Sequence, residues 1–117
     1  AGGAGEGSDM ECCFCYMTAG SRDEALAIGR VLVEERLAAC ANLIEGMTSI
    51  YRWRGSIQED PEVVLIAKTR RELVGRLTER VRELHSYETP CVVALPLQGG
   101  NPAFLDWIAA ETAAAAS

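Results

Sequence analysis

The only histidine of this 117-residue chain, His85, stands three positions before Glu88, with Tyr87 between them. An imidazole nitrogen and a carboxylate at that spacing offer two donors to a metal ion. Two donors hold a transition metal weakly, so tighter binding needs a sulfur from Met17 or Cys40, or a residue from a neighbouring subunit. A thioether such as that of Met17 is a soft ligand. The same His–Glu pair could pass a proton, but no Ser-His-acid set, Gly-rich phosphate loop or metal-hydrolase cluster accompanies it, and the chain reads as a non-enzyme. A purely structural role competes: an imidazole in the last turn of a helix interacts favourably with the dipole and bonds a free carbonyl.

Lys68 and Arg70 form a second candidate set. They flank the start of an expected helix whose N-terminal N–H groups favour anions, so with Tyr87 they are expected to border a cleft for a carboxylate or small anion. As surface charges beside Glu72 they need no ligand. Tyr51 and Trp53 alternate with Arg52 and so share one face of a strand; rings of that size on an exposed arm point to packing between subunits. Of the five cysteines, Cys12, Cys13 and Cys15 lie in one apolar run. Cys12 and Cys15 spell C-x-x-C, yet an odd separation on a strand sends their thiols to opposite faces, where they share neither a zinc nor a disulfide. Buried thiols of a reducing compartment are the simpler reading, as for Cys40.

The elements that position these residues follow from periodicity and capping. Residues 11–18 are apolar on both alternating faces, as in a central strand. Ser21-Arg22-Asp23-Glu24 is a capping box opening a helix to about Arg36, with Ala25, Ile28, Leu32 and Val33 on its apolar stripe. Residues 37–70 read as one long β-hairpin turning near Arg54-Gly55-Ser56, with Pro61 marking an edge or a bulge of the returning strand. Thr69-Arg70-Arg71-Glu72 is a second capping box, opening a helix that ends near His85. Residues 91–95 form a further strand, and Asn101-Pro102 starts a last helix. The order strand, helix, strand, strand, helix, strand, helix is that of an α+β, ferredoxin-like split βαβ sandwich: an antiparallel sheet with helices on one face and an extra C-terminal helix.

Extended, residues 41–54 would reach roughly 45 Å, whereas a compact domain of this size has a radius of gyration of about 13 Å. The tip therefore leaves its own core, and the expected covering is the same hairpin on other copies of the chain in a closed ring. A net charge of −6 argues against a nucleic-acid backbone as ligand. No stretch has the length and apolarity of a membrane span, and no export signal is legible, so a cytoplasmic protein is expected. Residues 1–9 read as a Gly-rich linker or expression remnant, 10–113 as one domain and 114–117 as a frayed end.

Taken together, Glu35-Arg36-Leu37-Ala38-Ala39-Cys40-Ala41-Asn42, Ser49-Ile50-Tyr51-Arg52-Trp53-Arg54-Gly55, Lys68-Thr69-Arg70, His85-Ser86-Tyr87-Glu88-Thr89-Pro90 and Ala94-Leu95-Pro96-Leu97 resemble the CutA (CutA1) divalent-cation-tolerance family. The resemblance spans about 13–108. It implies a ferredoxin-like protomer in a homotrimer held by strand pairing of the hairpin, and a role in tolerance of divalent metals such as copper, bound weakly at intersubunit clefts. It also implies a likeness to PII-type signalling trimers, and hence an alternative role in sensing a small ligand or docking a partner protein. The family's usual His-Pro-Tyr-Glu is here His85-Ser86-Tyr87-Glu88, and Ser86 in place of the proline is expected to loosen the turn. A Cys or Val commonly precedes the Thr that ends the family's first strand; here it is Met17.

Overall fold

The computed structural model describes residues 11–116. The expected linker at 1–9 lies outside them. Four strands and three helices follow in the order β1 (Cys12–Ala19), α1 (Arg22–Glu34), β2 (Cys40–Trp53), β3 (Ser56–Arg70), α2 (Val74–Leu84), β4 (Val92–Pro96) and α3 (Pro102–Thr112). Short 3-10 turns, Arg71–Leu73 and Ala113–Ala116, precede α2 and follow α3. The strands make one antiparallel sheet in the order β2-β3-β1-β4, the ferredoxin-like arrangement expected from the element order.

The Ser21 hydroxyl caps α1 by accepting the Glu24 N–H at 3.1 Å. The second capping box does not form. Thr69 is fully buried in β3 opposite Cys13, and α2 is entered through the 3-10 turn after Arg70, with no side-chain cap. Strand pairing with β1 outweighs the local capping preference, because the ladder runs on to Arg70. The Thr69 hydroxyl is left buried without a hydrogen-bond partner.

Odd-numbered residues of β1 and β3 face α1 and α2. Cys15, Met17, Leu65 and Ala67 pack there with Ala25, Ile28, Leu32, Leu77 and Val81. The other face is covered at one end only, where Ile108 of α3 meets Cys12 and Ala39. Its remainder leaves Ile44, Val93 and Leu95 about half exposed, at 53%, 51% and 49%, beside partly buried Phe14 and Tyr16. Cys12 and Cys15 lie in different clusters, as alternation requires.

Pairing with β1 stops at Ala19 opposite Val63, and from there the β2–β3 ladder continues alone to Trp53 opposite Ser56. This arm stretches the molecule to 52 Å in one dimension against 25 and 23 Å in the others. Arg54 and Gly55 make a two-residue turn with φ of 50° and 87°, the primed geometry that matches strand twist. The arm's bulge is in the other strand and faces Val63 rather than Pro61: β2 carries one extra residue between Ile44 and Met47, where Gly46 has φ 89°. Pro61 stands opposite Thr48 on the stretch that β1 no longer flanks, where the ladder tolerates a missing N–H.

Candidate functional site

The loop after α2 crosses the end of β1 and lies along the arm, and His85 fixes its start. The His85 side chain is only 1% exposed. Its Nε2 lies 2.7 Å from the Thr18 carbonyl oxygen, and its Nδ1 lies 3.0 Å from the Tyr87 backbone N–H. A carbonyl only accepts and an amide N–H only donates, so Nε2 carries the proton and Nδ1 uses its lone pair on Tyr87. Both ring nitrogens are thus engaged, and the imidazole also packs against the Tyr87 ring at 4.5 Å between centroids.

Ser86 is tied rather than loosened. Its N–H and hydroxyl donate to the two Glu24 carboxylate oxygens at 2.7 and 3.1 Å. In a capping box Glu24 would turn back to Ser21; here the carboxylate reaches across to the loop instead. Its Oε2 also comes within 3.6 Å of His85 Nδ1. Burial alone would raise the Glu24 carboxyl, but the two bonds from Ser86 and the bond from the Gly20 backbone outweigh it and hold it below the ordinary carboxylate range.

Tyr87 continues past the end of β1. Its hydroxyl donates to Glu62 at 2.7 Å, and Glu62 also accepts from Ser49 at 2.6 Å. A Cβ at Gly20 would come within 3.3 Å of the Tyr87 oxygen, so glycine leaves the room this crossing uses. Desolvation, then the bond to Glu62 and its charge, push the Tyr87 phenol well above its usual value. Tyr51 repeats the motif one step along the arm, donating to Asp60 at 2.7 Å. At the tip, the Arg54 guanidinium lies 5.4 Å over the Trp53 ring and 4.0 Å from Glu88. Tyr51, Trp53, Tyr87, Glu88 and Thr89 enclose an open cleft of about 280 Å³.

The expected donors are not brought together within the chain. His85 is enclosed, while the Glu88 side chain is 80% exposed toward Arg54. Met17 is 1% exposed in the core between sheet and helices. Cys40 lies opposite Lys68, four β3 positions or about 13 Å from the Val64 pair beside Thr18. Among the described residues no three His, Cys, Asp or Glu side chains cluster so as to hold a metal ion. The expected anion set also separates. Lys68 Nζ bonds Asn42 at 2.8 Å, and Arg70, with 7% of its side chain exposed, is consumed by Thr112 and Glu72. Arg70 therefore ties α3 to the sheet, and Tyr87 lies on the arm with Glu62. Tyr51 and Trp53 do share a face, 42% and 45% exposed, while Ile50 and Ile57 on the other face are 69% and 60% exposed. The residues that sequence reasoning missed are Glu24, Ser49, Asp60 and Glu62. The hairpin register was the signal for the last three, since alternation puts 60 and 62 on the face of 49 and 51.

Residues 13–111 match the family model described as CutA1 divalent ion tolerance protein. The chain is 48% identical over 96 residues to the divalent-cation tolerance protein CutA of Thermus thermophilus, covering 82% of this chain and 93% of that one. It is 50% identical over 93 residues to protein CutA of Mus musculus, covering 80% of this chain but only 52% of the mouse protein. Among solved structures, the Thermus thermophilus protein aligns with a TM-score of 0.85 at 46% identity, covering 86% of this chain and 98% of that one. The Archaeoglobus fulgidus structure, described as a periplasmic divalent cation tolerance protein, aligns at 0.84 and 40% identity over 86% of this chain and 98% of its own.

Proposed function

The chain belongs to the CutA1 divalent ion tolerance family, and on that footing we propose that it serves in divalent-cation tolerance as a homotrimer. The observation that carries the assembly is the uncovered apolar surface: Ile50 and Ile57 on the arm, with Ile44, Val93 and Leu95 on the open sheet face, are each about half exposed or more. Surface of this kind on both a sheet face and a projecting ladder is what a ring of like subunits buries. The neighbouring copy would then border the cleft of Tyr51 and Trp53. Light scattering on the purified protein should give three times the protomer mass; a well-folded monomer would refute the assembly.

Copper or another divalent cation binds weakly in this reading, at the protomer border, with Glu88 and His85 as the contacts and the remaining donors supplied by a neighbour. For His85 to take part, the Tyr87 N–H must leave Nδ1, which costs about 1 kcal/mol or roughly fivefold in affinity. Calorimetric titration of copper, zinc and cobalt salts into the protein and His85→Ala tests this, and identical heats would remove His85. The buried, apolar setting of Cys12, Cys13 and Cys15 supports a cytoplasmic, reducing environment. No helix among the described residues is long and apolar enough to cross a membrane.

A second reading is favoured by the aromatic cleft itself: a trimer of PII-like design that senses a small ligand, or docks a partner protein, beside Tyr51, Trp53 and Tyr87. Melting shifts on one plate of metals, nucleotides and carboxylic acids separate the two, because a ligand of the folded form raises the melting temperature.

A further inference from the structure

The cleft on the arm carries a specific chemical signature. Three aromatic side chains, Tyr51, Trp53 and Tyr87, line it with Glu88, and each phenol donates a hydrogen bond to a carboxylate, Asp60 or Glu62. Such bonds draw electron density into the rings, and three carboxylates, Asp60, Glu62 and Glu88, stand there with the single guanidinium of Arg54, so anionic ligands are disfavoured. A small hard metal ion wants converging oxygens, but Asp60 and Glu62 already accept the two phenol protons, leaving Glu88 as the carboxylate that lines the cleft. What fits ring faces and one exposed carboxylate is a large cation of low charge density. The molecule supplies its own stand-in: Arg54 places its guanidinium 5.4 Å over Trp53 while pairing with Glu88 at 4.0 Å.

The geometry points to a binding site for a small quaternary or alkyl-ammonium cation between Tyr51, Trp53, Tyr87 and Glu88, with Arg54 as an internal competitor that the ligand displaces. This rests on the ligand-sensing reading above and names its ligand class.

The test uses the full assembled chain carrying Trp107→Phe, so that Trp53 is the sole indole, since the sequence holds two tryptophans. Tetramethylammonium chloride is titrated at constant ionic strength against tert-butyl alcohol, a neutral molecule of similar shape. A saturable change in Trp53 emission with the cation, and none with the alcohol, is expected. Arg54→Asn removes the competitor and suits the positive φ of the turn, so it should tighten binding about two- to fivefold, the worth of an exposed cation–π contact. Glu88→Gln should weaken it by a similar factor. Equal response to the alcohol, no response to the cation, or weaker binding in Arg54→Asn would overturn the site. If carboxylic acids or nucleotides raise the melting temperature while tetramethylammonium does not, the cation site fails and sensing stands. If no organic ligand does so, both fail.

Discussion

Replacing Glu24 by glutamine keeps the side chain's shape and removes its charge, and the structure fixes what should follow. The carboxylate takes two bonds from Ser86 and is 19% exposed. Hydrogen bonds to a charged group are worth about 1.5–3 kcal/mol each when sheltered, but Ser86 is exposed and water can replace its partner, so about 1 kcal/mol per bond is the fairer figure. Glutamine retains one acceptor oxygen and loses the other, together with the favourable charge in the first turn of α1, for a net loss of about 1–2 kcal/mol. At about 4 °C per kcal/mol for a domain of this size, the melting temperature at neutral pH should fall by about 4–8 °C. The pH dependence gives the sharper test. The folded carboxyl titrates below its unfolded value of 4.5, so the unfolded chain binds more protons in that interval and stability rises with pH across it. The stabilisation is complete above the unfolded value and is lost as pH falls through the folded one. The gap between the two proteins should therefore be widest near neutrality and close in strong acid, where the native Glu24 is itself neutral. Differential scanning calorimetry at fixed subunit concentration from neutral to acid pH measures it. A gap that stays constant, or widens in acid, would refute the assignment of Glu24 as a charged clasp on the loop.

Arg70→Met should cost about 2–4 kcal/mol in chemical denaturation, because it leaves the buried Thr112 carbonyl without its 2.9 Å donor and frees α3 from β3; a loss below about 1 kcal/mol would contradict that anchoring role. Gly46→Ala should cost about 1–2 kcal/mol in urea unfolding from its φ of 89° alone, since no atom lies within 4 Å of the added carbon; an unchanged midpoint would mean that the bulge relaxes. Brief iodoacetamide treatment of the native protein should alkylate exposed Cys91 first and half-buried Cys40 next, as read by peptide mass spectrometry. Cys12, Cys13 and Cys15 should stay unlabelled until unfolding, Cys15 above all, because burial and then the Cys13 charge push its thiol up to about 11; early label at Cys15 would refute the packing of β1.

The fold was legible because each element announced itself locally. The α1 cap, the two-sided apolar run of β1, the Gly turn and the length of the hairpin all survive into the structure with boundaries shifted by one to three residues. Where local signals misled, a longer-range contact had prevailed. The Thr69 box lost to the β1–β3 ladder; of the edge or bulge expected at Pro61 the edge holds, while the bulge forms in the partner strand at Gly46, the residue able to take positive φ. The site was less legible because its parts are far apart in sequence. His85 and Glu88 were visible as a pair, yet what decides their chemistry is Thr18, Glu24 and Glu62, which lie 67, 62 and 25 positions away from their loop partners. Nothing in the spacing of residues 85–88 says that both nitrogens of the histidine are already bonded.

Serine at position 86 shows how the loop's chemistry and its anchoring are joined. A proline there, the residue more usual in the family, would have no N–H to give, and Glu24 would lose both of its bonds to the loop. A proline stiffens such a turn through its own φ; this chain holds the turn instead through a carboxylate on a different element, which ties it to the start of α1. The loop is then clasped at two points, by Glu24 on the helix side and by Glu62 on the arm. The enclosed His85 lies just before those clasps, and just beyond them Glu88 reaches the Arg54 turn. A shift of the arm on assembly must therefore either move the loop with it or break the Tyr87–Glu62 bond. In a trimer that buried Ile50 and Ile57, cleft shape and subunit contact would be coupled, because one strand pair carries both Glu62 on one face and the exposed Ile50 and Ile57 on the other.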